Sequence, residues 1–433
     1  MTPQSQVYIT APITRGKEPE LRRLLDSMNS QPGRVRPDNA LFAFAAFDGI
    51  HFARWLIVDD QTLDDMQVYG RPRVDHPPSL AFAAEIDGEP EEFFAAMAAK
   101  AAPGVTTLFG CCDGFAPGGD LAGWLRAHHI PAAAGYVNWV GRSVLQVREE
   151  SALYEAVQRH LQNEGQALTH EPAPRVHARL CELIRADIAA GHLRLSAEPP
   201  TPVGWTVRKL LHAIGAPLLL LVLSPVLVPL AIVLVLIIRR REPGEPEVCP
   251  RTDPAHVAAL AEVEDHDVTN SFSALGSLKP GVVRRWATMA VLWAIDFAAR
   301  HVYTKGRLAR VRTIHFARWV FLDGKARVIF LSNYDDSLES YMDDFINKVG
   351  FGLNVSFSHG IGYPRTRWLI FGGSSDERKF KEFLRRHQIP TQVWYKAYPG
   401  LTAVDLERNA RVRRGIDLPQ LADVDAAEWV GLL

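Results

Sequence analysis

Cysteine is scarce and poorly spaced for any of its structural uses. The 433 residues contain four. Cys111 and Cys112 are adjacent while Cys181 and Cys249 stand alone. No disulfide framework, C-x-x-C pair or zinc spacing can be drawn from them, and a reducing compartment is expected. An excess of one charge is also missing, since 48 basic and 49 acidic side chains leave a formal net charge of -1. That balance provides no global field for nucleic acid, and no local basic patch is legible in its place. There is no Walker A loop, no Gly-x-Gly-x-x-Gly, no Gly-x-Ser-x-Gly and no His-Glu-x-x-His, so nucleotide binding, serine hydrolysis and zinc proteolysis lose their usual sequence support. The first residues are polar and show no apolar stretch of signal-peptide type. What remains is a chain 47% hydrophobic and 22% charged, long enough for two ordinary domains.

That chain repeats itself. Ile-His-Phe-Ala-Arg-Trp occurs at Ile50 to Trp55 and again at Ile314 to Trp319, an offset of 264. Downstream, Asp87 matches Asp335, Phe93 matches Tyr341 and Gly114 matches Gly362 at an offset of 248. Trp124 to Pro131 then matches Phe383 to Pro390 at an offset of 259, which also aligns Tyr136 with Tyr395. The pattern is that of a gene duplication. In the second copy, Thr313 to Leu322 and Arg327 to Asn333 read as strands flanking the hairpin signal Asp323-Gly324. A helix follows from Ser337 toward Val349, then a strand at Thr366 to Phe371, a helix from Asp376 to His387 and a strand at Thr391 to Ala397. Each copy begins with a strand and a helix, Val7 to Ile13 with Lys17 to Met28, and Val268 to Phe272 with Pro280 to Val302.

This order, with the run Lys17-Glu-Pro-Glu-Leu-Arg-Arg-Leu-Leu25 after the first strand, resembles the ferredoxin-like units of the dimeric α+β barrel superfamily. That superfamily includes chlorite dismutases, dye-decolourising peroxidases and small monooxygenases. The fold expected is α+β, two ferredoxin-like units forming a pseudo-dimeric barrel around an inserted membrane hairpin. The units would cover residues 1–160 and 265–433, separated by a helical linker at 161–209, the membrane segment at 210–241 and a second linker at 242–264. The hexapeptide also resembles that of a group of uncharacterised bacterial membrane-associated proteins. If there is catalysis, the resemblance implies oxidoreductase chemistry with or without haem. The Gly-x-x-Asp-Gly turn of the dye-decolourising peroxidases is matched incompletely, by Ala84-Glu-Ile-Asp87-Gly88 and by Ser332-Asn-Tyr-Asp335-Asp336.

Between the copies, Leu210 to Ile238 has lipid-facing composition, with Leu218, Leu221, Leu234 and Ile237 as lipid contacts. Arg208 and Lys209 precede it and Arg239 to Arg241 follow, so charge selects no orientation. If the sister units pair they lie on one side of the membrane, and Pro225 and Pro229 would then bend the segment into a hairpin dipping into the cytoplasmic leaflet of the inner membrane. The alternative is a kinked single span, each barrel being completed by a second copy of the chain. Trp286 and Trp293 share a helix face and could sit at headgroup level.

Alternation in the hexapeptide strand sets Phe316, Arg318 and Val320 against His315, Ala317 and Trp319. A buried Arg318 needs an acceptor, and Asp335 on the neighbouring strand is the expected one, with Arg54 and Asp87 repeating the pair. His315, Arg318, Asp335 and Tyr395 are the candidate catalytic residues. His359, which replaces Cys111 of the first copy, is the candidate cofactor ligand. His128 and His387 are expected at helix C-termini with no catalytic part. The leading functional reading is a membrane-attached barrel binding a hydrophobic or lipid-derived small molecule, and its rival is a non-catalytic membrane-anchored scaffold.

Overall fold

A computed structural model describes residues 1–168 and 170–433. The first copy comprises β1 (Gln4–Pro12), α1 (Glu18–Ser27), the short β2 (Asn29–Gln31) and β3 (Arg34–Val35), β4 (Ile50–Val58), β5 (Ser79–Asp87), α2 (Pro90–Lys100), α3 (Ala102–Phe109), α4 (Leu121–Ala127) and β6 (Ala134–Val137). Helices α5 (Val144–Leu168), α6 (Ala173–Ala189), α7 (Val203–Arg241) and α8 (Pro254–Ala261) follow. The second copy comprises β7 (Thr269–Ser277), α9 (Val282–His301), β8 (Ile314–Leu322), β9 (Arg327–Asp335), α10 (Leu338–Phe357), β10 (Thr366–Arg367), β11 (Phe371–Gly372), α11 (Glu377–His387) and β12 (Val393–Lys396). Helices α12 (Ala403–Asp417) and α13 (Asp423–Val430) complete the chain and pack on α5 and α6. Helix α5 runs through the boundary expected at residue 160.

The strands form two four-stranded antiparallel sheets, ordered β1-β5-β4-β12 and β6-β8-β9-β7. Each sheet therefore takes its fourth strand from the other copy: Tyr395 of β12 lies opposite Ala53, and Tyr136 of β6 opposite Ala317. The sheets pack face to face through Tyr8, Leu56 and Ala83 on one side and Leu275, Val320 and Leu331 on the other. Helices α1 to α4 cover the outer face of the first sheet and α9 to α11 that of the second.

The expected barrel does not close. The free edge of β1 is occupied by the segment after α4, where Ile130 N–H donates to Tyr8 O at 2.8 Å, and that of β7 by the segment after α11, where Ile389 N–H donates to Ser273 O at 2.8 Å. An edge already paired to a turn cannot join a continuous ladder. The strand expected at Thr366 to Phe371 is instead a two-residue hairpin whose tip, Trp368 and Leu369, has positive φ angles of 59° and 62°.

Helix α7 makes no reversal at Pro225 or Pro229, contrary to the hairpin expectation. Proline removes an N–H and frees the carbonyl four residues earlier, which usually breaks a helix. At Pro225 that carbonyl belongs to Leu221, and the Ser224 hydroxyl donates to it at 2.7 Å, so the helix continues. Both ends are tied to one body. Near the start, Arg208 pairs with Glu89, and His212 Nδ1 lies 2.8 Å from His301 Nε2 on α9. Near the end, Leu234 and Ile238 pack on Val283 and Ala287 of α9 and on Leu369. Helices α7 and α9 thus run antiparallel, the anchored stretches being roughly 33 Å and 27 Å long at about 1.5 Å per residue. Between the anchors α7 stays open, and its most apolar 18-residue window is 6% buried.

Candidate functional site

The arginines of the two hexapeptides reach across the gap between the sheets, so the expected partners Asp87 and Asp335 are not theirs. Arg54 donates to Phe272 O at 2.9 Å, to Ser332 O at 3.1 Å and to the Asn333 amide oxygen. Arg318 donates to Val7 O and Ala84 O and forms an ion pair with Glu85. Both guanidiniums are buried. Arg54 faces an amide where Arg318 faces a carboxylate, and burial pulls its pKa down to about 10. Strand β8 explains the misassignment of faces. Its register slips between Ile314 and Phe316, as that of β4 does between Ile50 and Phe52, and these bulges turn the histidines toward the opposite sheet. His315 accordingly packs on Phe52, and His51 on Phe316.

The aspartates belong to the histidines and to helix starts. His315 Nε2–H donates to Asp335 at 2.6 Å, and the carboxylate also accepts from the Thr269 hydroxyl and, at 2.7 Å, from Ala403 N at the start of α12. In the first copy His51 Nε2 lies 3.1 Å from Asp87, which accepts from Val144 N at the start of α5. A buried carboxylate at a helix N-terminus is favoured by the dipole and the free N–H groups. The copies differ at the other imidazole nitrogen: the Tyr398 hydroxyl donates to His51 Nδ1 at 3.1 Å, whereas His315 Nδ1 has no partner among the described residues.

Of the four candidate catalytic residues, only His315 and Asp335 touch. Arg318 lies in the same gap with other partners. Tyr395 faces the outer side of the first sheet, stacked on Phe44 at 4.7 Å, with its hydroxyl 3.4 Å from Arg148. His359 is fully buried elsewhere. Its Nδ1 lies 3.4 Å from Arg284, which with Lys279 is paired to Glu245. Burial, then Arg284 and Lys279, push the imidazole down to about 3, so it is neutral. The Glu245 carboxyl lies below its ordinary range because the two cations outweigh its burial. The other nitrogen of His359, Nε2, is buried with no partner among the described residues, and the nearby Arg284 and Lys279 disfavour a metal cation there. No group of three or more His, Cys, Asp or Glu able to hold a metal is found among the described residues.

His387 is the residue that sequence reasoning passed over. At the end of α11, its Nδ1–H donates to Phe383 O at 2.8 Å, which leaves the Nε2 lone pair buried and without a partner among the described residues. Two glycines make room for the ring: a Cβ on Gly276 would come within 2.8 Å of it, and one on Gly362 within 3.0 Å. The ring lines a cavity of about 50 Å³ under α9, walled by Leu275, Leu292, Trp319, Phe330 and Phe357. Burial lowers the His387 pKa, so the cavity offers one neutral acceptor in apolar surroundings. Its retention in both copies was the available signal, but the facing glycines meet it only in space.

The membrane candidates occupy two sides of α7: Leu218, Leu221, Pro225 and Pro229 are exposed, while Leu234 and Ile237 turn partly toward the body. Exposed Trp286 and Trp293 on α9 and Trp368, Ile370 and Phe371 in the hairpin extend this apolar surface. No known protein family, curated protein or solved structure matches the chain.

Proposed function

We propose that this is a monotopic membrane protein whose α7 lies along one leaflet, holding an α+β body that binds a hydrophobic, lipid-derived small molecule. The observation that carries the reading is that α7 is apolar, almost unburied and tied at both ends to the same body. A helix so anchored could cross the bilayer only by drawing charged groups of the body, Arg300 and Asp296 among them, into hydrocarbon. Lying flat beside the α9 tryptophans, it satisfies its surface at no such cost. The His387 cavity beneath α9, at about 50 Å³, has room only for the end group of such a ligand, one that presents a single O–H or N–H.

We read the two copies as ferredoxin-like units that have exchanged their last strands. The shared bulges, the His–Asp pairs and the equivalent contacts to Val144 and Ala403 support that view. The bonds of Arg54, Arg318 and Asp335 within the fold favour binding over redox catalysis, with His315 Nδ1 left without a partner among the described residues. Flotation on neutral phosphatidylcholine vesicles tests the attachment: the full chain should float, and Leu221→Asp with Val222→Asp should remain at the bottom of the gradient. Equal flotation of both proteins, or of neither, would overturn it.

A further inference from the structure

A cleft of about 710 Å³ lies at the junction of the two copies. Its floor is the loop Trp139 to Arg142 after β6, one wall is the loop Thr304 to Arg312 before β8, and the other wall is α12. The two cations deepest in its walls are matched: Arg142 pairs with Glu150, and Arg413 with Asp417. Five others, Lys209, Lys305, Arg307, Arg312 and Arg414, have no ion-pair partner among the described residues. Against them stand two free carboxylates, Glu198 and Glu407. In a chain of net charge -1, this is a concentrated positive field, and cations gathered in a concave site attract a compact polyanion.

The position of the cleft narrows the ligand. Lys209 belongs to the first turns of α7, just before its apolar run, and it also lines an adjoining groove of about 490 Å³ bounded by Trp205, His212 and the end of α9. The cleft therefore opens where α7 changes from polar to lipid-facing.

We propose that this cleft binds the phosphate headgroup of an anionic membrane lipid, with Lys209, Arg307, Arg312 and Arg414 as its main cationic contacts and the groove beside Trp205 receiving the start of the acyl chains. The inference rests on the monotopic reading for its choice of a lipid over a free anion. It adds a second site, distinct from the apolar cavity at His387.

The test uses the full chain in a neutral detergent, so that attachment to a bilayer is not required. Dihexanoyl phosphatidic acid, dihexanoyl phosphatidylcholine and inorganic pyrophosphate are titrated separately by calorimetry. Phosphatidic acid should bind at least tenfold more tightly than phosphatidylcholine or pyrophosphate, and Arg307→Glu with Arg312→Glu should weaken it at least tenfold. Because these exposed groups are screened by salt, affinity should also fall as ionic strength rises. Unchanged affinity in the double variant overturns the site, and equal affinity for pyrophosphate overturns the lipid assignment. Flotation of the same variant on neutral vesicles keeps the two proposals apart: loss of lipid binding with flotation intact concerns the cleft, and failure of the unsubstituted protein to float concerns the attachment.

Discussion

Asp335 is placed to hold more of the structure than any other candidate residue. It serves His315, Thr269 and the first turn of α12 at once. Asp335→Ala leaves three buried donors unmatched, and about 3 kcal/mol of stability should be lost. Urea unfolding measures this, and a loss below about 1 kcal/mol would contradict the role. His359 makes a pH-dependent contribution whose direction follows from its pKa. Folding lowers that pKa from the ordinary histidine range to about 3. Below about pH 6.5 the unfolded chain therefore binds a proton that the folded chain refuses, and stability falls as pH drops from there toward the folded value. At pH 5 the deficit is about 2 kcal/mol. His359→Asn keeps an acceptor for Arg284 and removes the titration, so its unfolding midpoint should vary less between pH 7 and 5. The same slope in both proteins would show that another group carries it.

At the scale of elements, Glu242 couples the end of α7 to the β10–β11 hairpin. Its carboxylate accepts from the Thr366 hydroxyl at 3.0 Å, from Trp368 N at 2.8 Å and from Leu369 N at 2.9 Å. Glu242→Ala should raise hydrogen exchange at Trp368 and Leu369 at least tenfold while leaving the sheets protected; unchanged exchange would place the restraint elsewhere. The same elements mark the limits of sequence reading. The strands around Asp323-Gly324 and the helix from Asp376 to His387 were legible because period, turn chemistry and cap agreed. The course of α7 was not, since Pro225 and Pro229 signal a break and the Ser224 bond that offsets one of them is a three-dimensional detail. The facing of His315 was lost to a single-residue bulge, which no alternation pattern announces.

For the whole molecule, each sheet takes its fourth strand from the other half of the chain, so the two halves should unfold as one cooperative unit. Arg54 and Arg318 strengthen this by bonding across to the opposite sheet. Residues 1–200 and 250–433 expressed separately should each be insoluble or aggregated, and together they should copurify as a folded pair. Two independently soluble, cooperatively unfolding fragments would contradict the interlocked arrangement. The repeat was plain from the hexapeptides, but the pairing of β6 and β12 with strands of the other half was not, because pairing partners leave no mark in a single sequence. The basic cleft was equally hidden: its cations come from α7, the loop before β8 and α12, so no linear run announces them. The central claim is that α7 lies along a leaflet with both ends on one side, and site-specific labelling tests it most directly. Cysteines placed at Val203 and Gly244 in a Cys249→Ser background are exposed to a membrane-impermeant maleimide in intact and permeabilised cells. Matching accessibility at both positions is the expected result, with both protected until permeabilisation if the body faces the cytoplasm. Labelling of one position in intact cells and of the other only after permeabilisation would show that α7 crosses the bilayer and would contradict the account.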